Sequence, residues 1–158
     1  MPARVKLSAI MDALEVQGDE THAFLDRRTG EVVVLSDEEL SAAEDGDDVS
    51  DYPEWQRDNI VQARLVNVDD GSRFVALPGR FEVNEWEMMR DFALSVDDEA
   101  VSAALLDAIH GRGAFRYFKD QVRERGLVEN WHAFRAGRYR QIALDWCEEH
   151  GLELDTGA

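Results

Sequence analysis

The sequence predicts an α+β fold: a small, mainly antiparallel sheet of about three strands packed against a larger helical layer. Three observations carry that prediction. Apolar residues recur at helical spacing over most of the chain, and two short β-prone runs flank a turn near its start. Regular alternation of strand and helix is absent, which sets aside a parallel doubly wound sheet. The 158 residues, 44% of them hydrophobic, suffice for one ordinary domain. That domain is expected to span residues 1–158, with a hairpin-containing α/β part over 1–80, a helical part over 81–154 and a tail at 155–158.

Val5, Leu7, Ile10, Met11 and Leu14 recur at helical spacing, and Gly18 follows as a stop. Thr21 to Leu25 and Glu31 to Leu35 are β-prone, and Gly30 between them supplies the positive φ of a tight reversal. Ser36 with Glu39 forms a capping box that opens a short helix. Glu44-Asp45-Gly46-Asp47-Asp48 ends it in what reads as a solvated, disordered acidic loop. Pro53 suits the first turn of a further helix, with Trp55, Val61, Leu65 and Val68 lining one face. The β-branched residues in Ile60 to Val68 also fit a strand, and helix is preferred. Arg73 to Leu77 reads as a third strand ended by Pro78-Gly79. From Phe81 the pattern turns helical through Trp86, Met89, Phe92 and Ala93. Another helix begins near Ser95 to Asp98, runs through Val101, Ala104, Leu105, Ala108 and Ile109, and stops at Gly111 and Gly113. The last two helices are expected over Ala114 to Arg125 and Glu129 to His150.

Charge divides the chain unevenly. Seventeen Lys+Arg stand against 34 Asp+Glu, a formal net charge of −17. Residues 1–108 carry 9 bases and 26 acids, residues 109–158 carry 8 of each, and the segment 112–140 alone is +5. A chain this acidic does not condense on DNA or anionic lipid by charge, so direct DNA binding is disfavoured. No apolar run approaches the ~20 residues of a membrane span, and Asp12 and Glu15 interrupt any apolar signal core. The single cysteine, Cys147, excludes an intramolecular disulfide framework and any multi-cysteine metal site. A cytoplasmic location, without membrane association, is the expectation.

The positive segment has a pattern. At ~100° per residue, Phe115, Phe118 and Val122 fall on one stripe of the penultimate helix, and Arg116, Lys119 and Arg123 fall on an adjacent one with Arg112 in line. On the last helix Trp131, Phe134, Ile142 and Trp146 share a stripe that contains Arg135 and Arg138, provided Gly137 does not break the phase. A guanidinium cannot deprotonate at neutral pH, so a half-buried one needs a carboxylate, a carbonyl, a ring or an anion. One reading pairs Arg135 and Arg138 with acids such as Asp26, Glu87 or Asp91. The other makes the segment an anion site or docking face, because basic residues interleaved with aromatics suit phosphates and nucleobases.

The string Gly111-Arg112-Gly113-Ala114-Phe115-Arg116-Tyr117-Phe118-Lys119-Asp120, with Trp131-His132-Ala133-Phe134-Arg135 and Ala143-Leu144-Asp145-Trp146, resembles the end of uncharacterised protein family 0158, a bacterial group without assigned activity. The hairpin Phe24 to Val33 and the segment around Met89-Arg90-Asp91-Phe92 are similar to it as well. The resemblance implies an aliphatic residue where Cys147 stands, which argues against a thiol role, and it brings no reaction, cofactor or catalytic residue with it.

Known chemistries leave no motif. There is no Gly-Lys pair for a phosphate loop, and Gly111-x-Gly113 lacks the third glycine and preceding strand of a dinucleotide fingerprint. His22, His110, His132 and His150 lie far apart, and Cys147 with His150 is at best half a metal site. After Asp45, Asp47 and Asp48, Ser50 and Gln56 stand where a calcium loop needs glycine and glutamate. Ser72 is outside a nucleophile-elbow pattern. His110 and His132 flank the basic helix as ordinary helix-end residues. No cofactor, metal or catalytic residue is therefore expected. The expected function is a non-catalytic binding or regulatory module using Arg112, Phe115, Arg116, Lys119, Arg123, Trp131, Arg135 and Arg138, with an acidic protein surface or a phosphate-bearing ligand as partner. The alternatives are an enzyme with a carboxylate-based or metal-assisted site, and an acidic mimic of nucleic acid.

Overall fold

The computed structural model describes residues 4–79 and 82–155, which form two compact units. One runs to Glu82 and resumes at Ile142; the other is Val83–Gln141. The α+β expectation holds: among the described residues there are seven α-helices, a three-stranded antiparallel sheet and a two-stranded parallel one. Arg80 and Phe81, where the helical part was expected to start, lie outside the described residues.

In the first unit a short strand, β1 (Val5–Lys6), leads directly into α1 (Leu7–Val16). Val5, read from periodicity as helical, is instead fully buried and pairs in parallel with Leu154 of β5 (Leu154–Asp155). Its N–H donates to Glu153 O at 2.9 Å. A two-residue strand has no period to detect, and its partner comes from the other end of the chain. Asp155 is thus a strand residue rather than the first of a tail; residues 156–158 lie outside the described residues.

The hairpin forms as its turn chemistry dictates. β2 (Thr21–Asp26) and β3 (Val32–Ser36) run antiparallel with Thr21 opposite Ser36 and Leu25 opposite Val32, and Gly30 takes φ 77°. β4 (Phe74–Ala76), shorter than the predicted third strand, pairs with the other side of β2, giving the order β3-β2-β4. Ala23 and Leu25 bury the middle of the sheet, and Ile10, Ala13 and Leu14 are the buried residues of α1.

One charge pair is built into this unit. Asp26, 4% exposed, accepts from Arg73 Nε at 3.1 Å and Nη2 at 2.9 Å, and from the Arg28 N–H at 2.9 Å. The fork geometry satisfies both carboxylate oxygens. The Arg73 hydrogen bonds hold the Asp26 carboxyl below the usual range, outweighing the opposing effect of burial.

The capping box at α2 (Asp37–Asp45) is complete. Glu39 N–H donates to Ser36 Oγ at 3.1 Å, and Ser36 N–H to Glu39 Oε1 at 2.9 Å. Glu39 is buried, and its second oxygen accepts from Asn59 Nδ2 at 3.0 Å. The acidic stretch beyond is ordered rather than a disordered loop. Tyr52 donates to Asp47 Oδ2 at 2.7 Å, Arg64 donates to the Asp47 carbonyl, and Asp48 caps a 3-10 turn at Val49–Asp51 through the Ser50 N–H. The Asp47 carboxylate pushes the Tyr52 phenol up to about 12.

α3 (Glu54–Val68) is a helix, as preferred, but its buried face is not the predicted one. Gln56, Ile60 and Ala63 are buried, whereas Trp55 (74%), Val61 and Val68 are exposed and Leu65 is half-buried. The sequence projection followed the bulkiest side chains. The buried face instead mixes sizes, Gln56, Ile60 and Ala63, and α3 packs against α2, whose buried residues are Glu39 and Ala42. From α7 (Val128–Glu149) the first unit receives Trp146, whose Nε1 donates to Ala76 O at 3.2 Å, and the buried Cys147.

The second unit is helical: α4 (Glu85–Ser95), α5 (Glu99–Ala108), α6 (Ala114–Glu124) and α7 as far as Gln141. Asn84 caps α4 through the Glu87 N–H, and Asp98 caps α5 through Ala100 and Val101. An aromatic cluster fills the middle. Phe92 meets Phe118, Trp131 and Phe134 at 6.2, 5.4 and 5.4 Å between ring centres, and Phe118 meets Trp131 at 4.9 Å, all edge to face. Trp86 Nε1 donates to Ile109 O at 3.0 Å, tying α4 to the end of α5. α7 passes through Gly137 without a break.

Two consequences are measurable. An aspartate whose folded pKa is depressed contributes stability above its unfolded value and loses it as pH falls through the lower range. Asp26→Asn is therefore expected to lower stability by about 2 kcal/mol at pH 7 and to flatten the acid limb of the stability–pH curve, read by urea unfolding from neutral to acid pH. Gly137 is exposed, helical and clear of neighbours. Gly137→Ala should raise stability by about 0.5–1 kcal/mol in the same assay.

Candidate functional site: the basic face of α6

Gly113 sets up α6. It takes φ 75° at the N-cap, where a Cβ would stand 3.2 Å from Tyr117 Cε2, so the turn into the helix favours glycine on two counts. No side chain caps this end and no acid lies in its first turn. Phe118 and Val122 point the helix inward and are fully buried, consistent with the predicted apolar stripe. Phe115, expected on that stripe, sits at its margin and is 44% exposed. Tyr117, not singled out from the sequence, is 57% exposed on the far side of the helix. It follows Arg116 by one position, and the spacing alone placed it off the apolar face.

Phe115 apart, the seven other expected site residues separate into three groups. Arg112, Arg116 and Lys119 are exposed and make no hydrogen bond or ion pair among the described residues. Arg123 is also exposed and meets Asp120 at 2.7 Å across one helical turn, a surface pair of the kind worth little in water. Trp131, Arg135 and Arg138 are committed internally. Trp131 is buried in the aromatic cluster.

Arg135 and Arg138 are held by α4. Arg135 Nε donates to Glu85 Oε1 at 2.7 Å, and its guanidinium lies 4.6 Å from the centre of the Tyr139 ring. Tyr139 Oη donates to the same Glu85 oxygen at 2.8 Å. Arg138 Nη1 donates to Asp91 Oδ2 at 2.6 Å, and Arg90 meets Asp91 Oδ1 at 3.1 Å. The Arg138 hydrogen bond, with Arg90 behind it, holds the Asp91 carboxyl below the usual range. Of the expected partners, Asp91 is used, while Asp26 is taken by Arg73 and Glu87 is exposed at the start of α4. Glu85 was missed. Projecting α4 from Met88, Met89 and Phe92 would have found it, because Glu85 falls in the middle of that buried face.

Among the described residues no three His, Cys, Asp or Glu side chains are grouped to hold a metal ion. Burial pushes the Cys147 thiol up, away from thiolate chemistry. Hydrogen bonds hold the Asp26, Asp48, Asp70 and Asp91 carboxyls below the usual range. His22 is engaged with Asp37 at 2.6 Å.

A family model described as Uncharacterised protein family (UPF0158) matches residues 1–155. The chain belongs to that family. It is 26% identical over 156 residues to UPF0158 protein PA5073 of Pseudomonas aeruginosa, covering 96% of this chain and 86% of that relative. No solved structure matches it. The resemblance noted in the hairpin and the last two helices thus extends over nearly the whole UPF0158 chain. No helix among the described residues is long and apolar enough to cross a membrane.

The division between committed and free cations is testable. Asp91→Ala leaves Arg138 without its carboxylate and is expected to lower stability by about 1 kcal/mol at neutral pH. The loss should shrink as pH falls from the ordinary aspartate range through the lower folded value, and vanish only once the native carboxyl is itself protonated. Arg123→Ala should leave the thermal melt unchanged.

Proposed function

We propose that this protein is a non-catalytic, cytoplasmic binding module that receives an acidic protein surface on α6. One observation carries the reading: Arg112, Arg116 and Lys119 stand exposed and unpaired beside the exposed ring of Phe115, in a chain with twice as many acids as bases. Such a cation gains energy from a carboxylate brought to it, because opposite charges a few ångströms apart attract. Arg123 joins the stripe on releasing Asp120. The cations lie on an exposed helix face, which offers a convex stripe rather than an enclosing pocket, and this suits a partner surface with acids around an apolar contact.

The acidity of the remaining chain does not cancel the stripe. At physiological salt the Debye length is about 8 Å, so a partner docked on α6 responds chiefly to the charges within a turn or two of it. The same acidity excludes long polyanions, whose backbone would extend over the rest of the surface. Placement in the cytoplasm rests on the lone buried Cys147 and the lack of a disulfide partner for it.

The test is binding of a fluorescent peptide of glutamates flanking a phenylalanine, measured by anisotropy. Binding should weaken as salt rises from about 0.05 to about 0.5 M. Arg116→Glu with Lys119→Glu should weaken it about tenfold or more while leaving the thermal melt in place. Retained affinity in that folded double variant would remove α6 from consideration. Displacement of the peptide by inorganic pyrophosphate would reassign the face to phosphate-bearing ligands.

A further inference from the structure

A second place on the molecule is built to receive something, and it lies in the first unit at the outer side of β3. Backbone hydrogen bonds decide which groups of that strand point outward. Asp26 N–H donates to Glu31 O and Asp37 N–H to Glu20 O, both at 2.9 Å. Hydrogen-bonded and non-hydrogen-bonded pairs alternate along an antiparallel ladder. With the observed register, Phe24 with Val33 and His22 with Leu35 are then the bonded pairs. Val32 and Val34 consequently turn their N–H and C=O groups away from β2. The other side of β2 agrees: Arg27 N–H donates to Arg73 O and Leu77 N–H to Ala23 O, so alternate residues of β2 serve β4.

The two edges of this sheet are finished differently. On β4 the outward carbonyl of Ala76 accepts from Trp146 Nε1 at 3.2 Å. On β3 no strand pairs with the outer edge among the described residues. A groove of about 650 Å³ lies there instead, with Val32 and Val34 on one side and Ala9, Ala13 and Val16 of α1 on the other. Val16 is 66% exposed. The Val-Val-Val-Leu run carries none of the lysine, proline or bulge with which exposed edges are ordinarily guarded.

The lining carries two bases and three acids, with Asp155 in register opposite Lys6. Arg4 and Lys6 line the groove, are exposed and have no partner among the described residues. Glu31 stands at the head of β3, and Asp12 and Asp155 also border the space. We propose that this groove receives an extended segment of a partner protein, which adds to β3 as a further strand through Val32 and Val34, with an acidic residue of the segment against Arg4 and Lys6. Small residues at positions 9 and 13 leave room for side chains of the added strand, and its alternate residues reach the apolar wall. The backbone edge supplies affinity, and the cation pair selects for an acid. This site shares no residue with α6.

The experiment follows amide hydrogen exchange in the full chain by NMR, with probe peptides of about six alternating threonine and valine residues that end in aspartate. In the free chain Val33 and Leu35 should be protected and Val32 and Val34 should exchange fast. Adding peptide up to about 1 mM should slow Val32 and Val34 about tenfold. A peptide N-methylated on the bonding edge should have no effect, and one ending in lysine should bind more weakly. Arg4→Glu with Lys6→Glu should weaken binding about tenfold with the melt unchanged. Protection of Val32 and Val34 in the free, dilute chain would show that the chain covers its own edge. Protection that rises with protein concentration alone would assign the edge to a second copy. Either result, or failure of every aspartate-ended peptide to slow these amides, would overturn the proposal.

Discussion

An arginine stays charged at any pH this protein meets, and the second unit is arranged around that constraint. Its aromatic cluster brings α7 against α4, and this leaves Arg135 and Arg138 half-buried, with side chains 28% and 38% exposed. α4 presents Glu85 and Asp91 to them at the matching turns, with Tyr139 bridging to Glu85 and Arg90 supporting Asp91. The first unit meets the same constraint with Asp26 and Arg73, where two parallel hydrogen bonds satisfy a nearly fully buried carboxylate. Pairing of this kind decides where positive charge is absent from the surface, and so where it remains.

Part of what remains lies on α6 and just before it, as Arg112, Arg116 and Lys119. The helix is anchored by Phe118 and Val122, and that anchorage fixes the azimuth of every other side chain on it. Arg112, Arg116 and Lys119 are held outward by geometry, not by a partner. Phe115 at the margin of the apolar stripe gives the face an apolar component next to its cations. Packing and electrostatics therefore share a cause: the side that is buried determines the side that is offered.

The first unit shows the same logic in its sheet. β2 is satisfied on both sides, by β3 and β4, and the outer edge of β4 is closed by a tryptophan from a distant part of the chain. The outer edge of β3 faces a groove. Alternation of bonded pairs, a purely local property of an antiparallel ladder, selects Val32 and Val34 as the residues whose backbone is left to that groove.

Much of this was legible in the residues themselves, where the determining interaction is short in sequence. Gly30 specifies the reversal, Ser36 with Glu39 specifies the start of α2, and the spacing of Phe118 and Val122 specifies the inward side of α6, because each depends on atoms within one or two turns of the chain. Net charge and its polarisation are likewise properties of the residue list. Tertiary structure alone decided the rest. Whether Arg135 met Glu85 or Glu87 depended on which face of α4 the aromatic cluster buried. Whether Val5 was helix or strand depended on Leu154, and the buried face of α3 depended on the helix it packs against rather than on its bulkiest side chains. In each of these a partner remote in sequence sets the energy, and neither composition nor periodicity carries the distance between them.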